Sequence, residues 1–279
     1  MKKKINYILG VTLVEILIGI VISTVMMAAM FTSYNIVNST YSQVTDTAKI
    51  SRAGRDTVGM IMRDVRMAGY KYFGDNIETN AAEHIPIKIT KHSLSNPCDT
   101  LEVVYGGYKS DGNDPPTFTY TRYKVTYKCV EDDRVDKEDP DGKTLYETYK
   151  LKKLQKAKHI WTGSGWGNDP DNDGNNETYD FATLVEYVED LIFIPIDEDG
   201  KIINPPPTNT VNSDKIYSIK IVDILFAVRS KNAFYRKDDN RSKNALTEDA
   251  RAIGKNRRDK FLRDTILVSA HARNLGLQW

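Results

Sequence analysis

The chain opens with a long apolar run behind a short cationic start. Lysines occupy positions 2 to 4, and the run from Val11 to Phe31 contains one charged side chain, Glu15. About 20 apolar residues are needed for an α-helix to cross a bilayer. A secretory signal peptide would have a shorter apolar core that ends in a small-residue cleavage site. The run therefore predicts a membrane-spanning helix.

The lysines before this run predict its orientation. Cytoplasmic flanks of membrane helices carry an excess of Lys and Arg, so the N-terminus is expected in the cytoplasm. Residues beyond Tyr34 are then expected on the far side of the membrane. A plain signal anchor would share this topology.

Helical periodicity continues beyond the membrane run. No proline interrupts residues 11–70, and apolar residues recur at helical spacing from Ile50 to Ala68. Gly69 is expected to end the helix, because glycine readily adopts the left-handed conformation found after helices. The sequence thus predicts one helix with a membrane half, 11–33, and a soluble half, 34–70. The polar face of the soluble half is predicted to hold Arg52, Arg55, Asp56, Arg63 and Asp64.

Beyond residue 70 the pattern changes from helical to alternating. Runs rich in β-branched and aromatic residues predict strands at 85–90, 100–105, 118–130, 146–151, 187–197, 216–229 and 265–273. One long helix followed by strands and turns indicates the α+β class, with the helix laid across an antiparallel sheet. Residues 71–279 are therefore expected to form an exported, β-rich globular domain with extended loops.

Charge and cysteine content fit an exported protein. With 39 basic and 38 acidic residues the net charge is +1, so no global field favours nucleic acid or a lipid surface. The two cysteines, Cys98 and Cys129, both fall in the exported part, where oxidising conditions permit a disulfide. We expect them to pair, with two free thiols as the alternative.

An acidic loop in the middle of the chain matches the calcium pattern D-x-D-x-D-G. Calcium prefers many oxygen ligands, and alternate positions of such a loop turn inward while the glycine allows the sharp bend. The predicted ligands are Asp169, Asp171, Asp173, Asn175 through its backbone carbonyl, Glu177 and Asp180.

The match to the EF-hand version of this loop is partial. Asp180 stands where a Glu normally closes the shell, and glycines at 163, 165 and 167 exclude an ordinary entering helix. Phe181, Leu184, Val185 and Val188 have the spacing of an exiting helix, which would make the loop half of an EF-hand. The alternative is an acidic surface turn that binds nothing, because Asp, Asn and Gly are also common turn formers.

Other chemistry finds little support in the sequence. The basic segment 231–260 is interrupted by acidic residues, so a solvated insertion is favoured over a nucleic-acid contact. The four histidines are scattered without zinc-ligand spacing. Neither a nucleophile elbow nor a phosphate-binding glycine loop occurs. The sequence therefore predicts a protein that is not an enzyme.

The segment Gly10-Val11-Thr12-Leu13-Val14-Glu15 resembles the prepilin leader of type IV pilins and type II secretion pseudopilins. The resemblance implies that residues 1–10 form a leader removed by prepilin peptidase after Gly10. Val11, where the family usually has Phe, would then be the methylated first mature residue. In such assemblies Glu15 would neutralise the terminal amine of a neighbouring subunit.

Further segments resemble PilW-type minor pilins. One is 63–70, with the run R-x-A-G-aromatic. The others, 221–229 and the terminal Arg273-Asn274-Leu275, resemble the last two strands of PilW-type proteins and of J-type minor pseudopilins. The resemblance implies a minor pilin that primes or caps a type IV pilus, with other major and minor pilins as partners. It also implies an inner-membrane anchor and an exported domain in the periplasm or, in the pilus, outside the cell. A J-type minor pseudopilin of type II secretion is the alternative within the superfamily. A membrane-tethered, calcium-dependent adhesin or binding module is the alternative from another class.

Overall fold

The computed structural model describes residues 12–70, 84–91, 98–110, 117–131, 152–169, 178–233 and 261–275. The first of these ranges forms a single long helix. Helix α1 runs from Leu13 to Met67 without a break. The chain divides into two compact units, Met1–Ala48 and Lys49–Trp279. The first unit contains the N-terminal part of α1, and the second contains the rest of α1 and the sheet.

The sheet of the second unit is an antiparallel meander. Its strands are β1 Ile87–Thr90, β2 Thr100–Ser110, β3 Phe118–Glu131, β4 Lys152–Trp161, β5 Trp166–Gly167, β6 Tyr179–Ile196, β7 Ile221–Ala233 and β8 Phe261–His271. The order across the sheet is β1-β2-β3-β4-β6-β7-β8, with β5 paired to β4 as a short hairpin. Every neighbouring pair is antiparallel. The predicted α+β class is confirmed.

The core of the second unit lies between α1 and one face of the sheet. Val58, Ile61, Val65 and Ala68 recur at helical spacing, and each is at most 2% exposed. They pack with inward-facing residues of β1, β2, β3, β4, β6, β7 and β8 in one apolar cluster. Burial of this stripe, more than intrinsic propensity, stabilises this part of α1.

The last two strands differ in how many of their faces are covered. In β7, Phe226 lies in the main core while its neighbour Leu225 is buried on the opposite face, so both faces of the strand are covered. In β8, Ala270 is buried and Ser269 and His271 are exposed. A strand with one covered face shows this period of two.

The prediction of a helix over 181–188 was wrong, because these residues belong to β6. Phe181, Leu184, Val185 and Val188 have helical spacing, which favoured that interpretation. The pairing of β6 with β4 contains register shifts, and bulges of this kind break the period of two in a strand. Leu184 and Val185 both pack against the core from the bulged strand.

Strand β4 was missed altogether. Its sequence, KKLQKAKHIW, is rich in lysine, a residue with low strand propensity. Leu154 and Ala157 are nevertheless fully buried, because β4 lies between β3 and β6. Neighbouring strands thus decided the conformation of a segment whose composition favours no strand. The strand predicted at 146–151 lies outside the described residues.

A disulfide joins Cys98, just before β2, to Cys129 on β3, with 5.9 Å between the Cα atoms. The next residue, Asp99, is fully buried. Its carboxylate accepts hydrogen bonds from Lys91 Nζ at 2.7 Å and from the backbone N–H of Phe193 at 3.1 Å. Covalent and ionic contacts together therefore fix the start of β2 against β3 and β6.

Candidate functional site

The start of α1 is closed by a reciprocal pair of contacts between Thr12 and Glu15. The N–H of Thr12 donates to Glu15 Oε2 at 2.9 Å, and the Thr12 hydroxyl donates to the same oxygen at 3.0 Å. The N–H of Glu15 donates in turn to Thr12 Oγ1 at 3.3 Å. This is a capping box, T-x-x-E, which satisfies backbone donors of the first helical turn. The resemblance assigned Glu15 to assembly only, although the T-x-x-E spacing in the sequence also indicates this local role.

Glu15 retains binding capacity beyond the cap. Both hydrogen bonds that it accepts go to Oε2, and the structure gives Oε1 no donor from the residues it describes. The carboxylate also lies in the first turn, where the helix dipole favours negative charge. Gly10 and Val11 lie outside the described residues, so the predicted cleavage point remains a prediction.

The N-terminal part of α1 presents apolar side chains on all sides. From Leu13 to Phe31 the large apolar residues are 52–75% exposed. The hydroxyl groups in this stretch bond within the helix: Ser23 Oγ donates to the Gly19 carbonyl at 2.8 Å, and Thr24 Oγ1 donates to the Val21 carbonyl at 2.8 Å. By length and composition α1 is a candidate membrane span.

The soluble half of α1 carries a buried charge that sequence reasoning assigned to the wrong face. Asp64 was predicted on the polar face, yet it is 8% exposed and directed at the sheet. Its Oδ2 accepts a hydrogen bond from Tyr127 Oη at 2.5 Å and an ion pair from Lys156 Nζ at 2.8 Å. Burial raises the pKa of Tyr127, and the charge of Asp64 raises that pKa further. The helix is therefore held on β3 and β4 by a polar contact as well as by apolar packing.

Segments 63–70 and 273–275 meet each other at the end of α1. Gly69 is left-handed with φ 71°, as predicted for a helix stop. Asn274 Nδ2 donates to the Arg66 carbonyl at 2.9 Å, and a Cβ added at Gly69 would stand 2.6 Å from Leu275 Cδ2. The chain after the helix continues along β2, where the Gly69 N–H donates to the Val104 carbonyl at 2.9 Å. This cluster, which we call the helix-end junction, joins residues 208 positions apart.

The predicted calcium loop is described only at its two ends. Asp169 donates its N–H to Thr178 Oγ1 at 2.8 Å, which closes the base of the loop. Asp180 is the second residue of β6, and its oxygens contact Asn168 Nδ2 at 3.0 Å and His159 Nε2 at 3.3 Å. The hydrogen bonds from Asn168 and then His159 lower the pKa of Asp180. The other predicted ligands, Asp171, Asp173, Asn175 and Glu177, lie outside the described residues.

Calcium binding therefore remains a prediction. To coordinate calcium, Asp180 would have to give up its contacts with Asn168 and His159. Within the ranges that the structure describes, no group of three His, Cys, Asp or Glu side chains is placed to hold a metal ion. His84 is buried under the edges of Trp161 and Trp166, with ring centroids 4.6 and 5.4 Å away. The basic segment 234–260 is also outside the described residues.

No family model and no curated protein matches the chain. Among solved structures the chain is similar to a type IV-like pilin from Thermus thermophilus, with a TM-score of 0.43 and 10% sequence identity. The similarity covers 81% of this chain and 96% of that chain. The α+β fold is given by helix α1 and the antiparallel sheet of this chain.

Proposed function

We propose that the protein is a type IV pilin-like subunit, anchored in the inner membrane by α1 and assembled with other pilins through the start of that helix. The observation that carries the proposal is the position of Glu15, an acidic residue in the first turn of an exposed apolar helix. The packing of the second half of α1 on an antiparallel sheet is consistent with it.

Pairing with another subunit would stabilise Glu15 through its second carboxylate oxygen, Oε1. A carboxylate within a bilayer costs roughly 3 kcal/mol when it is unpaired. Thr12 supplies two donors, but both contact Oε2. A cationic amine from another subunit would satisfy Oε1 and neutralise the charge, so pairing would be favoured most strongly inside the membrane. Assembly would then remove the remaining free-energy cost of placing the charged Glu15 carboxylate in the bilayer.

Processing after Gly10 would supply that amine. Cleavage would create a terminal amine at Val11 and leave the Thr12 N–H intact as an amide, so the capping box would survive. Prepilin peptidase would be the processing partner, and methylation of Val11 would retain the positive charge. The cap would position Glu15 for the amine of a neighbouring subunit.

The finer assignment is a minor pilin of PilW type that primes or caps the fibre. It is supported by the resemblance of segments 63–70 and 273–275, which meet in the helix-end junction. A J-type minor pseudopilin of type II secretion is the alternative, since it would use the same helix with different partners. A tethered calcium-dependent adhesin would instead depend on the loop at 169–180.

The test separates the charge of Glu15 from its capping role. Glu15→Gln keeps an oxygen that can accept the Thr12 N–H but removes the charge, whereas Thr12→Ala removes the hydroxyl and keeps the charge. Each full-length variant is tagged at its C-terminus and recovered from membranes in mild detergent, and co-purified pilin-like subunits are quantified by mass spectrometry.

Glu15→Gln should lower partner recovery roughly tenfold, the effect of about 1.4 kcal/mol. Thr12→Ala should cost about 1 kcal/mol of helix-start stability and leave most partners bound. Full recovery of partners with Glu15→Gln would refute pairing through the charge. The same spectra report whether the mature chain begins at a methylated Val11.

A further inference from the structure

The hydrogen bonds at the start of α1 replace bonds that a longer helix would make. In an α-helix each N–H donates to the carbonyl four residues earlier, so the Glu15 N–H would bond the Val11 carbonyl. Instead the Glu15 N–H donates to Thr12 Oγ1 at 3.3 Å, and the Thr12 N–H donates to Glu15 Oε2 at 2.9 Å. The Thr12 carbonyl accepts a helical bond from the Ile16 N–H at 3.2 Å. Thr12 is therefore the N-cap of α1.

This cap comes directly after the bond that processing would cleave. The proposed scissile bond joins Gly10 to Val11, and Thr12 is the next residue. A peptidase has to reach the carbonyl group of the bond that it hydrolyses. If the helix extended one turn further, the Gly10 carbonyl would accept the Val14 N–H and would be engaged inside the helix. A helix that is capped at Thr12 stops short of this arrangement.

We infer that Thr12 is a positioning residue for processing: its cap ends α1 before the bond between Gly10 and Val11 and keeps that bond accessible to prepilin peptidase. Hydrolysis of this amide by water would give a carboxylate at Gly10 and an amine at Val11. Thr12 would touch none of the reacting atoms and would act through the helix that it ends. This inference rests on the proposed function, because it concerns the cleavage step.

Loss of the Thr12 hydroxyl should lengthen the helix and not fray it. Within the bilayer a backbone N–H without a partner is costly, because no water is present to accept its hydrogen bond. The Glu15 N–H would then turn to the carbonyl of Val11, which is its ordinary helical acceptor. An N-cap residue shifts such an equilibrium by a factor of roughly five. The fraction of chains with an accessible scissile bond should fall by the same factor.

Substitutions at position 12 test the cap. Thr12→Val keeps the shape of the side chain without its hydroxyl, whereas Thr12→Ser and Thr12→Asn keep an oxygen that can cap the helix. Thr24→Val is the matched control, because the Thr24 hydroxyl donates to the Val21 carbonyl inside the same helix at 2.8 Å. Each full-length chain is expressed with prepilin peptidase, and the initial rate of cleavage is measured by pulse–chase.

Thr12→Val should be cleaved roughly fivefold more slowly than the wild type, and the other three variants at the wild-type rate. With purified peptidase in lipid vesicles, the loss should appear as a higher KM with an unchanged kcat, because the peptidase binds only the accessible conformer. A slower step still runs to completion, so partner recovery at steady state should stay high.

A rate for Thr12→Val that equals or exceeds the rate for Thr12→Ser would overturn the inference. Slow cleavage of Thr12→Ser and Thr12→Asn would also overturn it, because the peptidase would then recognise the threonine itself. In both cases only the positioning role fails if the wild type is cleaved after Gly10. A wild type that is not cleaved there would contradict the proposed function as well.

Discussion

The contact between Asp64, Tyr127 and Lys156 makes a quantitative prediction about how α1 is held on the sheet. Asp64→Ala would leave the Lys156 ammonium, whose side chain is 13% exposed, and the Tyr127 hydroxyl without their shared acceptor. Removing one partner of a buried ion pair costs about 3–5 kcal/mol. For a unit of this size 1 kcal/mol shifts the melting temperature by about 2–4 °C. We therefore expect a drop of roughly 6–20 °C.

The same helix provides a matched control. Asp56 forms an i,i+4 ion pair with Arg52 at 3.7 Å, and both side chains are mostly exposed. Such a pair contributes about 0.5 kcal/mol or less, so Asp56→Ala should shift the melting temperature by about 2 °C at most. Asp64→Asn keeps an acceptor for Tyr127 but not the charge, and should fall between the two. Thermal unfolding of detergent-solubilised full-length chain, followed by tryptophan fluorescence, measures all three. Equal effects of Asp64→Ala and Asp56→Ala would refute the buried contact.

This contact also predicts a dependence on pH. The pKa of Tyr127 is raised by burial and by Asp64, whereas an unfolded tyrosine ionises near pH 10. The folded chain therefore keeps its proton when the unfolded chain has released it. Stability from this group is complete below about pH 10 and falls as the pH rises above that value. In Tyr127→Phe the alkaline fall should be shallower, and an unchanged profile would contradict the assignment.

Two further changes test the helix end and the acidic loop. Gly69→Ala should lower the free energy of unfolding by about 1–2 kcal/mol, because an L-residue is strained at φ 71° and its Cβ would crowd Leu275. Gly59→Ala, at an open helical position, should raise the free energy of unfolding by about 0.5–1 kcal/mol. Urea unfolding measures both, and effects of the same sign would refute this prediction. Calorimetry of the full-length chain should show calcium uptake that is lost when Asp171 and Asp173 are both changed to Asn, and no uptake by the wild type would refute the calcium prediction.

Regular patterns made the helix and the last two strands predictable. The apolar stripe that ends at Ala68 and the glycine that follows it specify α1 and its stop, and the period of two in β8 specifies which face is covered. The same rules failed for β4 and β6, where lysines and bulges hide the alternation. In β4 and β6 the strand conformation depends on pairing with neighbouring strands. A local sequence pattern carries no information about those partners.

The prediction that placed Asp64 on the solvent face of α1 failed for a related reason. A charged residue is assigned to the solvent face of a helix because burial without a partner is costly. Here the partners are Tyr127 and Lys156, 63 and 92 positions further along the chain. Only the fold brings them together. The capping box is the opposite case, since Thr12 and Glu15 are neighbours and their spacing already indicated the contact.

The helix-end junction changes what the resemblance at the two ends of the chain supports. Segments 63–70 and 273–275 counted as two separate motifs in the sequence, but Asn274 and Leu275 contact Arg66 and Gly69 directly. A left-handed Gly69 leaves space for Leu275, so the two motifs form one packing arrangement. Their joint occurrence is therefore one line of support for the proposed PilW-type assignment, and not two independent ones. The functional proposal depends instead on Glu15 and on the partners that its carboxylate would attract.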